Sequence, residues 1–339
     1  MRRRLWLSLA AFASVAIAAV LTTVLAWRNL NTPLLLPAEG IRVEVAGGAS
    51  LRRVTEQLAE RQLLAHPWLL AAYGRVTGEA TRIRAGEYDL LPGITPVSLL
   101  EKLVSGQVHL HQLTVVEGTR FSDLLAALRA HPAIARSDLD GIAIMAALGE
   151  PGVHPEGQFF PDTYKFPKGT TDVELLRLAH EALVSRLDAA WQQRNKDIQL
   201  RTPYEALILA SIIEKETALA TERRLIAGVF HQRLRRNMRL QTDPTVIYGL
   251  GDTYDGNLRR LDLERDTPYN TYTRNGLPPT PIALPGAASL EAAVTPELGD
   301  AIYFVATGRG DGSHYFSATL EEHERAVRDY LRQLRSAEP

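Results

Sequence analysis

The sequence predicts an α+β protein with three parts: an N-terminal transmembrane helix, a small α+β module, and a larger mixed α+β domain. Three observations carry that reading. An uncharged apolar stretch runs from Leu5 to Trp27, short segments alternate apolar and polar residues as strands do, and longer segments carry apolar residues at helical spacing. The 339 residues suffice for an anchor and two folded domains at about 100–200 residues per domain. A charged fraction of 23% belongs to a globular chain rather than a disordered one. The formal net charge of −1 offers no general attraction for a polyanion, so nucleic acid is not an expected partner. The absence of cysteine excludes disulfide staples, c-type haem attachment, a thiol nucleophile and a lipidated N-terminal cysteine.

At the N-terminus, Arg2, Arg3 and Arg4 precede the apolar stretch and Arg28 closes it. A bilayer core of about 30 Å needs roughly 20 apolar residues in a helix. Residues 5–27 therefore read as a membrane span, with Trp27 at the interface. The arginine cluster keeps residues 1–4 in the cytoplasm and puts the remainder outside it. A cleaved signal peptide is the competing reading, but its apolar region usually runs only about 7–15 residues.

Residues 28–40 form a linker, and the small module is expected over 41–110. Ile41, Val43 and Val45 alternate as in a half-buried strand. Gly47 and Gly48 turn the chain, and Ser50 caps a helix that places Leu51, Val54 and Leu58 on one face. Further helices are expected from Pro67 and, after Thr95, from Pro96 to the stop at Gly106, with a short strand Gly86–Leu90 between them. The pattern Val45, Gly48, Leu51, Val54, Leu58 returns as Val115, Gly118, Phe121, Leu124, Leu128, which places a second strand and helix at the start of the domain expected over 111–335. His131 to Gly152, broken by prolines and glycines, reads as a connection with one short helix, and 172–195 as a long helix.

The chemically suggestive segment follows. Thr202-Pro203-Tyr204-Glu205 has the form of a capping box with proline at the first helical position. The helix is expected to extend over 203–219, nearly all apolar until Glu214 and Glu216 interrupt it. An apolar setting disfavours a charged carboxylate and raises its pKa, as a general acid requires near neutral pH. Glu214 shares its helical face with Leu207, Ala210, Ser211, Thr217 and Ala218, small residues that leave a substrate room. Glu216 faces the bulkier Ile212, Ile213 and Leu219, which suggests packing. Spacing alone leaves open a structural role, with Lys215, Arg223 or Arg224 as the partner of one acid.

The string Ala210-Ser-Ile-Ile-Glu214-Lys-Glu-Thr217 resembles the signature helix of the endolytic murein transglycosylases, the MltG or YceG-like family. Similar segments follow in order: Met238 to Gly249, Tyr269-Asn-Thr-Tyr272, Gly276-Leu-Pro-Pro279 and Ala283-Leu-Pro-Gly286. Glu156-Gly-Gln-Phe-Phe-Pro-Asp-Thr-Tyr164 fits upstream. The likeness covers nearly the whole chain and implies that module 41–110 is LysM-like and that 111–335 is a YceG-like catalytic domain. It also implies a lyase at the bacterial cytoplasmic (inner) membrane, with its catalytic domain on the periplasmic side. Such an enzyme cuts the β-1,4 bond between N-acetylmuramic acid and N-acetylglucosamine in nascent peptidoglycan, leaves 1,6-anhydro ends, and meets peptidoglycan synthases (penicillin-binding proteins).

The first glutamate of the Glu-Lys-Glu run is the family's catalytic one and matches Glu214, with Glu216 the runner-up. Asp243 is the candidate second carboxylate or orienting acceptor. Ser211, Gln241, Thr242, Tyr248, Tyr269, Asn270, Tyr272, Glu156, Phe160 and Tyr164 are candidate sugar contacts, since aromatic faces and a few polar groups suit carbohydrate. Each also has a structural reading: Gln241 to Thr245 as a turn around Asp-Pro, and the tyrosines as buried side chains with satisfied hydroxyls. His314 reads as structural, and the run Arg223, Arg224, Arg233, Arg235, Arg236, Arg239 as a solvated helix face. No metal-ligand spacing occurs, so neither metal nor cofactor is expected. A hydrolytic muramidase or glucosaminidase using Glu214 with Asp243 is the rival activity, and a non-enzymatic wall-binding scaffold the rival class.

Overall fold

The computed structural model describes residues 2–337. Its first helix, α1 (Arg2–Leu30), is the one helix among the described residues long and apolar enough to cross a membrane. The stretch Trp6–Leu30, 25 residues, runs roughly 37 Å at about 1.5 Å per residue, longer than a bilayer core of about 30 Å. Its apolar side chains, Trp6, Phe12 and Val20 among them, are exposed, as a lipid-facing helix requires. Met1 and the side chains of Arg2, Arg3 and Arg4, on which the expected orientation rests, lie outside the described residues. The chain divides into two units. One holds residues up to 111 together with 165–169, and the other holds 112–164 and everything from 170 onward. The return of Lys165–Gly169 to the first unit is marked by no local sequence signal.

In the first unit, strand β1 (Ile41–Val45) leads through α2 (Leu51–Glu60) and α3 (Pro67–Val76) to β2 (Gly86–Leu90), and α4 (Pro96–Ser105) follows. The two strands pair antiparallel, Val43 opposite Tyr88 and Ile41 opposite Leu90. Local chemistry sets the helix ends. Ser50 accepts from Arg53 N–H, Thr95 and Ser98 cap each other reciprocally, and Gly106 takes the left-handed conformation (φ 73°) that ends α4. Val43, Val45, Leu51, Leu58, Leu70, Leu90, Leu99 and Leu100 fill the core, and Leu30 and Leu34 reach it from the end of α1 and the linker. Fully buried Tyr88 donates its hydroxyl to Arg84 O at 2.7 Å, with Leu103 O at 3.3 Å. Tyr88→Phe removes that donor and is expected to cost about 1 kcal/mol, read as a lower thermal unfolding midpoint.

The second unit is dominated by helices around one buried rod, α8 (Pro203–Glu216). Before it in the chain come α5 (Phe121–Ala130), α6 (Gly141–Leu148) and α7 (Asp172–Gln192), together with β3 (His111–Thr114) and β4 (Thr163–Phe166), whose residues are divided between the two units. After it come α9 (Arg223–Arg235), α10 (Asp243–Leu250), α11 (Arg260–Glu264), α12 (Ala287–Val294), β5 (Tyr303–Ala306), β6 (His314–Ser317) and α13 (Leu320–Ala337). β3 and β4 make one two-stranded sheet, and β5 and β6 an antiparallel one with Phe304 opposite Phe316. Ala206 through Ile213 are all buried, which explains why α8 shows no polar face: α7, α9, α10 and α12 surround it. The short helix expected within 131–152 is α6, capped by Asp140 and stopped by Gly149.

Three expectations change. Residues 241–245 do not simply turn, because Asp243 and Pro244 open α10; proline suits a helix's first turn as well as a turn. α8 ends at Glu216 with Thr217 as its C-cap, short of 219, so Thr217, Ala218 and Leu219 lie off the helix. The arginine run is a solvated face only in part: Arg224, Arg235 and Arg236 are exposed, whereas Arg223 and Arg233 turn inward. Arg233 is 7% exposed and donates to Ile302 O at 2.7 Å and Leu240 O at 2.6 Å, while Arg223 turns toward Glu214.

Candidate active site

Thr202 begins α8 by accepting from Glu205 N–H at 3.1 Å. The reciprocal half of the expected capping box is diverted, since Glu205 Oε2 accepts from Arg201 N–H at 2.5 Å instead. Just over two turns of buried helix, Ala206 to Ile213, then deliver Glu214 and Glu216 to the far end, where they point into different surroundings.

Both oxygens of Glu214 are engaged. Gly286 N–H donates to Oε2 at 2.9 Å, and Arg223 Nη2 reaches Oε1 at 3.3 Å. The side chain is only 6% exposed. Arg223 Nη2 also lies 4.0 Å from Glu117 Oε2, and the Glu117 side chain is 48% exposed. Two backbone bonds hold Glu117 there: Gly118 N–H donates to Leu284 O at 2.9 Å and Leu284 N–H to Thr119 O at 2.8 Å. A Cβ on Gly286 would meet Glu117 Oε1 at 1.8 Å, so only glycine lets the two carboxylates approach from either side of it. Lys215 is turned aside, donating to Gly118 O at 3.2 Å. Sequence reasoning missed Glu117 and Gly286 as site residues, although Gly286 closes one of the noted strings and Gly118 belongs to the repeated pattern.

The small-residue face argued for Glu214 does not supply its open space. Leu207, Ala210 and Ser211 are wholly buried, and 217–218 have left the helix. Room comes from glycine instead, Gly118 lying beside the Glu214 and Lys215 stems. Ser211 spends its hydroxyl inside the protein, donating to Ile208 O at 2.7 Å and accepting from Ile282 N–H at 3.0 Å. Ser211→Ala strands that buried N–H and is expected to lower stability by about 1–3 kcal/mol while leaving KM unchanged. Unfolding and steady-state kinetics on the same variant check this.

Glu216 faces the segment before α10. Thr242 donates its hydroxyl to Glu216 Oε1, Thr242 N–H donates to Thr271 Oγ1 at 3.1 Å, and Gln241, at φ 49°, donates its N–H to Thr271 O. Burial pushes the Glu216 carboxyl up to about 7, aided by the charge of Asp243 and opposed by the Thr242 hydroxyl and by Arg233. Asp243 accepts from Tyr272 Oη at 2.5 Å. Among the described residues it makes no hydrogen bond or ion pair to Glu214; its charge acts instead on Glu216.

The remaining candidates fall into two groups. Tyr248 donates to Glu156 Oε2 at 3.2 Å and packs edge-on against Tyr269 at 4.8 Å, with the Arg120 guanidinium 5.2 Å from the Tyr248 ring. Glu156 also accepts from Phe121 N–H, and burial raises its pKa. Asn270 is wholly buried and donates to the carbonyls of Leu263 and Arg265 at 2.9 and 2.7 Å, organising its loop from within. Phe160 is a core residue with Arg186 stacked 3.9 Å from its ring centre, and Tyr164 donates to Phe160 O at 2.7 Å. His314 is structural, bonded through N–H and Nδ1 to Glu222 at 2.9 and 2.7 Å.

The profile of the YceG-like family matches residues 43–329. The chain is 31% identical over 310 residues to an endolytic murein transglycosylase of Bacillus subtilis (strain 168), across 86% of this chain and 85% of that one. It is 26% identical to an endolytic murein transglycosylase of Streptococcus pneumoniae (strain D39), across 86% of this chain and 58% of that longer one. A crystal structure of a yceG-like protein from Listeria monocytogenes superposes with a TM-score of 0.53 at 32% identity, over 85% of this chain and 99% of that one.

Proposed function

The chain belongs to the YceG-like family, and from that premise we propose that it is an endolytic lytic transglycosylase of peptidoglycan. It cuts the bond between N-acetylmuramic acid and N-acetylglucosamine inside nascent strands and leaves 1,6-anhydro-muramic ends. The observation that carries the reading is Glu214, a nearly buried carboxyl at the end of an apolar helix, with its two oxygens positioned by Gly286 and Arg223. Glu214 protonates the departing glycosidic oxygen. The carboxylate left behind then takes the proton of the muramic C6 hydroxyl as that oxygen closes on C1, so one group serves as acid and base and water is not consumed. A glycosidase that adds water needs two carboxylates, about 5–5.5 Å or 6.5–9.5 Å apart.

In this reading Glu216, held by Thr242 with Asp243 and Tyr272 around it, steadies the helix end that carries Glu214, and Tyr248, Tyr269 and Glu156 support the sugar-binding surface. The strand–helix–helix–strand order of β1, α2, α3 and β2 supports a LysM-like module at 41–110. Helix α1 is the anchor that keeps the enzyme at the outer face of the cytoplasmic membrane, where new strands emerge and where peptidoglycan synthases are its expected neighbours.

The test is mass spectrometry of fragments released from uncrosslinked glycan strands by the full chain in detergent. Internal fragments ending in 1,6-anhydro-muramic acid support the proposal. Reducing ends would make the enzyme a hydrolase, and the absence of any product would leave a wall-binding scaffold.

A further inference from the structure

Arg223 stands between two carboxylates. Its Nη2 is 3.3 Å from Glu214 and 4.0 Å from Glu117, and its side chain is only 12% exposed. Its Nε is buried without a hydrogen-bond partner among the described residues, which leaves the pairing of Nη2 to compensate the charge. An enclosed guanidinium stays charged, and removing its anion leaves that charge stranded. A general acid must nevertheless carry a proton before it acts, and a protonated Glu214 no longer neutralises Arg223.

We infer that Glu117 is a positioning residue that takes over Arg223 whenever Glu214 holds its proton, so the ion pair passes between the two carboxylates in each turnover. The inference rests on Glu214 being the acid of the proposed cleavage. The two distances differ by less than an ångström, so the exchange needs only a small swing of one guanidinium. Gly286 supports it from both sides, its N–H fixing Glu214 while its missing side chain admits Glu117. The other charged groups near Glu214 are already committed. Lys215, on the same helix, is bonded to Gly118 O, and Glu216 is turned to Thr242 and the charge of Asp243. Glu117 is half-exposed and so can hold its charge in water while waiting.

The test is a double-mutant cycle on the full chain, read as the pH dependence of kcat/KM on uncrosslinked glycan strands. Glu117→Gln leaves Arg223 with Glu214 alone, so the alkaline fall in activity should move down by about one pH unit, roughly a tenfold change in the protonation equilibrium. Arg223→Gln should move it up. The double variant should behave like Arg223→Gln, because Glu117 acts only through the guanidinium. Glu117→Asp should restore part of the profile. Gly286→Ala should reproduce Glu117→Gln, since the three atoms nearest the added methyl all belong to the Glu117 side chain, which must swing away.

A Glu117→Gln profile identical to that of the unaltered chain, or effects that simply add in the double variant, would overturn the exchange. The same cycle run on thermal unfolding midpoints needs no substrate. If the unaltered chain releases no anhydro-ended product, the functional reading fails, and the midpoints alone then judge the pairing. Non-additive midpoints uphold a shared Arg223 and additive ones overturn it.

Discussion

Glu214→Gln is expected to lower the rate of glycan cleavage by about 10²–10⁴-fold, the range over which a positioned acid–base group contributes. The substitution keeps the shape of the side chain and removes only its capacity to give and take a proton. It is not wholly silent in the fold. Gly286 N–H and Arg223 both donate to the carboxylate, whereas an amide has one acceptor and one donor end, so one of the two donors must face an NH2 group. That mismatch is expected to cost about 1 kcal/mol, small enough for the variant to remain folded. The expected pattern is therefore a large fall in kcat, a nearly unchanged KM and a modestly lower unfolding midpoint. Steady-state kinetics beside thermal unfolding separate these effects, and a variant that keeps more than a tenth of the activity would remove Glu214 from the chemistry.

Glu216 is expected to make stability fall as pH rises through neutrality. Its ordinary value is 4.5 and burial raises it to about 7 in the folded chain. Between those values the folded protein binds a proton that the unfolded chain has released. The contribution is fully present below about pH 4.5 and is lost as pH climbs past about 7. At about 1.36 kcal/mol per pH unit, the loss is on the order of 3 kcal/mol. Above it, the charges of Glu216 and Asp243 repel each other beside α10. Glu216→Gln, neutral throughout and still able to accept the Thr242 hydroxyl, should flatten this part of the stability curve. Unfolding midpoints at pH 5 and pH 8 for both proteins check it. An unchanged slope in the variant would assign the dependence to another group.

The parts of this fold that sequence reading found are those set by neighbours along the chain. Ser50, Thr95 and Gly106 end helices through bonds spanning a few residues, and their residue types suffice to recognise them. The apolar run of α8 marks it as enclosed whatever encloses it. What was not legible depends on distant partners. Arg233 resembles its exposed neighbours Arg235 and Arg236 until the carbonyl of Ile302 is brought to it. Ser211 looks like a small residue facing a substrate until Ile282 N–H claims its hydroxyl. Asp243-Pro244 obeys both turn and helix-start rules, and the choice was settled by the fold. Glu117 lies nearly a hundred residues before Glu214 in a loop without periodicity, and only the paired backbones of 118–119 and 284 bring it to the site.

The most direct measurement of the Glu214 chemistry is cleavage of uncrosslinked glycan strands in water enriched in oxygen-18, with the full chain and Glu214→Gln side by side. Intramolecular attack by the muramic C6 hydroxyl predicts fragments that carry no heavy oxygen, end in the 1,6-anhydro ring, and vanish with the variant. Heavy oxygen at a newly formed reducing end would show that water is the nucleophile and would contradict cleavage by a single carboxylate acting in turn as acid and base.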